Sequence, residues 1–230
     1  MSHDELKNTL SRMADPTMEA YQRKVVSDSN YPMYCVRMPV LRKLAKQCAK
    51  GELDTLLADA AWESYEEVLV LGLAVAYEDV PLEDKLTKLW KLLPRLDSWA
   101  MTDSIVPTIR FQAGEAQSLW DFALRCLESN EEYIRRFGIV IFLNHFLTTQ
   151  WIPMVEEQVA AIQDDRYYVQ MARAWLLAEM AVTQPERVMR ILKQGELDLF
   201  VHNMTIRKMR ESYRISREQK QAAALLRRKE

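Results

Sequence analysis

Asn130-Glu131-Glu132-Tyr133-Ile134 and, thirty-five residues later, Asp165-Arg166-Tyr167-Tyr168-Val169 are two versions of one opening, each running into a long apolar stretch. Thr149-Gln150-Trp151-Ile152-Pro153 follows the first stretch and Thr183-Gln184-Pro185 the second, so the recurring unit is a pair of helices. Such a pair cannot bury its apolar face alone and must stack on neighbours, as HEAT-like solenoids do. The expected fold is therefore all-α, a solenoid of antiparallel helix pairs, with Asn130 and Asp165 placed to cap helix starts.

Working outward, Pro39 opens a segment whose positions Val40, Leu41, Leu44, Ala45 and Cys48 form one apolar stripe, with Gly51 set to end it. Pro81 starts a second, carrying Leu82, Leu86, Leu89, Trp90 and Leu93 up to Pro94. Val68 to Tyr77 and Phe137 to Phe146 are continuous apolar runs that also suit buried strands; their length and their Glu- or Arg-rich flanks decide for helix. Five glycines and eight prolines are too few for the turns of an all-β chain, and no Gly-, Ser- or Pro-rich linker is present. The expectation is one domain over residues 1–230, with a basic helical C-terminal portion from about 185.

Cys35, Cys48 and Cys126 are an odd set without short paired spacing, which argues against a disulfide framework and a zinc knuckle. No leader pattern and no uncharged apolar run of membrane-spanning length is found, so the chain is expected to be cytoplasmic. Net charge is −2, but residues 185–230 carry twelve Lys/Arg against six Asp/Glu, which leaves −8 on the rest. Affinity for a polyanion depends on where cations cluster, so this quarter suits either a phosphate-facing stripe or a solvated helix face.

Phosphate loops, the zinc-protease helix and the nucleophile elbow are all missing. His3, His145 and His202 lie far apart in sequence, and His145 reads as a core or boundary histidine. Carboxylates, arginines and aromatics remain. Trp99 and Asp103, four residues apart, share one face if helical, and an indole beside a carboxylate suits a cationic substrate or transition state. The plainer alternative is a core tryptophan and a solvated aspartate. Arg136 stands at the entrance to an apolar helix, and Trp175 in mid-helix reads as core on its own.

Four blocks, in order, resemble the AlkD-like DNA alkylation repair glycosylases: Arg37-Met38-Pro39-Val40-Leu41-Arg42-Lys43-Leu44-Ala45-Lys46, Trp99-x3-Asp103-Ser104-Ile105-Val106-Pro107, Arg136-Phe137-Gly138-Ile139 and Tyr168-Val169-Gln170-Met171-x3-Trp175. The resemblance spans roughly residues 15 to 210. It implies a HEAT-like solenoid whose concave face holds duplex DNA and which releases N3- or N7-alkylated purines without flipping the lesion, unlike most glycosylases. It implies Asp103 as the catalytic carboxylate, Trp99 and Trp175 as aromatic walls, and Arg136 as a contact to the DNA backbone. No metal or organic cofactor is called for, and the protein is expected to act as a monomer. Two positions depart from the family's pattern: Cys35 stands where glycine is frequent, and Ala178 where a basic residue often follows the second tryptophan. Those departures and the acidic balance keep a second reading open, a non-catalytic HEAT-like module binding DNA or a protein on its concave face.

Overall fold

Fourteen α-helices and four short 3-10 turns, with no strand, account for the regular structure in the computed structural model, which describes residues 1–51, 53–58 and 62–229. Glu230, the last residue of the expected basic portion, lies outside them. The chain divides into two compact units, residues 1–122 and 123–230.

The first unit holds α1 (His3–Arg12), α2 (Glu19–Val25), α3 (Met38–Cys48), α4 (Leu53–Ala58), α5 (Tyr65–Tyr77), α6 (Leu82–Leu92) and α7 (Trp99–Ile105). Its axis is α5, buried from Tyr65 to Ala76 and packed by α3 on one side and α7 on another. A helix covered all round has no polar stripe, which is why its sequence also reads as a strand. Gly72 sets how closely α7 approaches: a Cβ there would lie 2.3 Å from Ile105 Cδ1. The stripe opened by Pro39 is α3, whose C-cap is Ala49, and Gly51 closes the turn that follows through its amide on the Cys48 carbonyl. Pro81 stands at the N-cap of α6, as its fixed φ allows. α1 is joined to α5 by His3 Nε2 at 2.8 Å from the buried Glu67 carboxylate.

The division between units falls within α8 (Ala116–Leu127). Beyond it lie α9 (Glu132–His145), α10 (Ile152–Ala161), α11 (Tyr167–Thr183), α12 (Pro185–Gln194), α13 (Leu199–Glu211) and α14 (Arg217–Ala224). The repeat is present as helices: α9 then α10, α11 then α12. α11 packs against both α9 and α13. The expected caps are displaced by one residue, because the N-caps are Glu131 and Arg166 and neither side chain bonds its own helix start. Side chains at each start link it to the other instead: Arg166 donates to the Asn130 carbonyl, and Glu132 accepts the Tyr168 amide at 2.8 Å. Gly138 permits a close crossing, since a Cβ would meet the Ala123 carbonyl at 2.7 Å.

Candidate active site

Trp99 and Asp103 share α7, one turn apart, and both are half-buried. The opposite face of α7 is fixed by Met101, Thr102 and Ile105, each fully buried. α7 has only seven residues, too short to hold itself, so its start is secured from elsewhere. Ser98 is the N-cap and accepts the Ala100 amide at 3.3 Å. Asp28, in the loop after α2, accepts the Trp99 amide at 2.8 Å and the Ser98 hydroxyl at 3.2 Å. The Trp99 indole N–H donates to the Val25 carbonyl at 3.3 Å.

The link is reciprocal. Asp97, just before α7, accepts the Ser29 hydroxyl at 2.9 Å and the Asn30 amide at 2.7 Å. Each loop thus lends a carboxylate to the other's backbone, which fixes the indole of Trp99 against residues 25–30. Burial pushes the Asp97 carboxyl up, only partly opposed by the amides and hydroxyl it accepts. Tyr65, buried beneath, has its phenol held far above its usual range by the same desolvation, followed by the nearby carboxylates.

The segment with the first departure is held from below. Cys35 has φ of 60°, the sole positive value at a non-glycine among the described residues, so this is a position that glycine suits. Its neighbours are tied to the fully buried Glu66 of α5, which accepts the Tyr34 amide at 3.0 Å and the Val36 amide at 3.3 Å. Burial raises the Glu66 carboxyl against the lowering pull of those amides.

In the second unit Trp175 is half-buried near the middle of α11, between the buried pairs Arg173–Ala174 and Leu176–Leu177. It is a boundary residue, more open than its sequence context alone suggests. Arg136 is only 4 % exposed, and its guanidinium donates to the Tyr168 carbonyl at 2.7 Å, bracing the first turn of α11. Ala178 is buried on α11, whereas the next residue, Glu179, is half-buried and paired with Arg214. A basic side chain at position 178 would have to leave the core of this unit. The basic C-terminal quarter is also partly spent internally: Arg187 and Arg190 both bind Glu156, at 2.9 and 2.6 Å, and Arg207 binds Glu211 at 2.9 Å.

Trp99 and Asp103 therefore come together in the first unit, and Arg136 and the helix of Trp175 in the second. Asp28 and Asp97 escaped the sequence reading. The signal for Asp28 is the Ser-Asp-Ser-Asn composition of residues 27–30, which marks a polar loop but names no partner, and Asp97 stands beside the N-cap Ser98 with none. No described helix is long and apolar enough to cross a membrane. The profile of a family described as DNA alkylation repair enzyme matches residues 5–218. No curated protein and no solved structure matches the chain.

Proposed function

Because the chain belongs to the DNA alkylation repair enzyme family, we propose that it removes N3- or N7-alkylated purines from duplex DNA by hydrolysing the N-glycosidic bond, without flipping the lesion. The observation that carries this reading is the half-exposed Trp99 one turn before the half-exposed Asp103 on a helix fixed by two carboxylates. An alkylated purine is cationic and leaves as a neutral base, so positive charge passes to the sugar as the C1′–N bond breaks. Asp103 stabilises that oxocarbenium-like sugar and positions the water that attacks it. The indole faces the cationic nucleotide through its quadrupole, worth ~0.5–2 kcal/mol. Trp175 is the second such indole, and the chemistry asks for no metal or organic cofactor.

Arg136 stands in this reading as a contact to the DNA backbone as well as the brace on Tyr168. A phosphate must then reach a guanidinium that is largely enclosed. Single-turnover excision from methylated duplex DNA tests the central claim. Asp103→Asn should keep fold and DNA binding while lowering the rate by at least ~10²-fold, the scale of losing one preorganised electrostatic group. Unchanged excision removes Asp103 from the mechanism. If the wild type binds DNA yet releases no base, the non-catalytic module takes its place.

A further inference from the structure

At the starts of α9, α11 and α13, four aromatic rings stand in a row. Tyr133 lies 5.7 Å from Tyr168 between centroids, Tyr168 lies 5.0 Å from Tyr167, and Tyr167 lies 5.7 Å from Phe200. The row ends in solvent: Tyr167 is 53 % exposed and Phe200 half-exposed. Phe200 leads into a groove of about 890 Å³ along α13 and residue 227, lined also by Met204, Arg207, Arg210, Glu211 and Arg227. Arg207 is neutralised by Glu211, but Arg210 and Arg227 are exposed and have no carboxylate partner among the described residues.

We propose that this groove binds an unstacked, single-stranded stretch of nucleic acid, with bases on Tyr167 and Phe200 and phosphates on Arg210 and Arg227. The two features together select that ligand. Cations alone would suit any polyanion, including the outside of a duplex. Aromatic faces add nothing to an intact duplex, whose bases are already stacked on each other, but they stack with any base that has been released. An acidic peptide would pair with the arginines and leave the rings unused. The groove also has room for a nucleotide-sized ligand. Glu211 does not defeat the charge balance, because Arg207 holds it.

The inference rests on the DNA reading for the choice of polymer alone, and its test uses no excision. Full-length protein is titrated against a fluorescein-labelled oligo-dT of about fifteen nucleotides, within the range such sites span. Unlabelled competitors are a closed hairpin duplex and polyglutamate. Oligo-dT should bind and the closed duplex should compete poorly. Tyr167→Ala should weaken binding at least about fivefold while Tyr167→Phe retains it, because the ring face does the stacking. Arg210→Ala should flatten the log–log salt slope by about 0.7. No oligo-dT binding, equal competition by the closed duplex or by polyglutamate, or an indifferent Tyr167→Ala would each overturn the proposal. Oligo-dT binding that persists in a protein without excision would leave the groove standing and sink the proposed reaction.

Discussion

Trp99 begins a helix of seven residues, whereas Trp175 lies near the middle of one of seventeen. The first ring is held by polar groups from the end of α2 and the loop after it: the Asp28 carboxylate on its amide and the Val25 carbonyl on its indole. The second is carried by a helix whose other faces are buried from Val169 to Ala181, and whose start is braced by Arg136. A ring held by a few directional bonds can be displaced by one substitution without unfolding its unit. A ring held by packing moves only when the helix does. The two halves of the chain should therefore answer perturbation differently.

The largest effect on stability is expected at Arg136. Arg136→Ala leaves the Tyr168 carbonyl without its guanidinium and empties the space of a buried side chain, which should cost about 2–4 kcal/mol in urea unfolding. If Arg136 also meets the DNA backbone, the same variant flattens the salt dependence of binding by about one unit. Lost stability with an unchanged slope makes it a brace alone. Next comes Asp28→Ala, which strips the acceptor from the Trp99 amide and the Ser98 hydroxyl and should cost about 1–3 kcal/mol. With 5-fluorotryptophan incorporated, the Trp99 resonance should shift or broaden while that of Trp175 stays in place. Movement of both signals breaks the comparison.

Acid should separate the units further. Burial pushes the Asp164 carboxyl up, but Arg166 and Arg135 outweigh it and bring it down to about 2. A carboxyl depressed by folding contributes stability above its unfolded pKa of about 4 and loses it as pH falls toward 2. Asp97 and Glu66 run the other way: their folded values are raised, so what they contribute is present below the ordinary carboxylate range and lost as pH rises through the folded value. Between pH of about 4 and 2 the Trp175 resonance should broaden before that of Trp99, and Asp164→Asn should remove the difference. The smallest effect concerns Cys35. With φ of 60°, Cys35→Gly should be more stable than Cys35→Ala by about 1 kcal/mol in thermal unfolding.

What could be read in advance divides along the same line. Apolar spacing and proline placed α3, α6 and the pairs α9–α10 and α11–α12, because burial writes a period into the chain. The four-residue spacing of Trp99 and Asp103 was legible for the same reason. The caps at Asn130 and Asp165 were not, since the helices begin one residue later and side chains of the neighbouring helix start, Arg166 and Glu132, bind the backbone there, whereas local rules assume that a cap serves its own helix. Asp28 and Asp97 bind residues about seventy positions away, a distance over which side-chain chemistry leaves no pattern. Arg136 was expected at the DNA backbone, and its enclosure left no mark in the sequence because arginine is seldom buried; in the structure its guanidinium donates to the Tyr168 carbonyl.

Residues 32–36 belong to no helix or strand, yet their backbone is bonded into α5. The Tyr65 amide donates to the Pro32 carbonyl at 3.0 Å, and the buried Glu66 carboxylate takes the amides of Tyr34 and Val36. In a hydrogen-exchange experiment the amides of Tyr34 and Val36 should exchange as slowly as those of α5, because releasing them requires opening the helix that holds Glu66. An irregular connection would thus belong to the most protected cooperative unit of the first half of the chain, and it would open only when that unit opens.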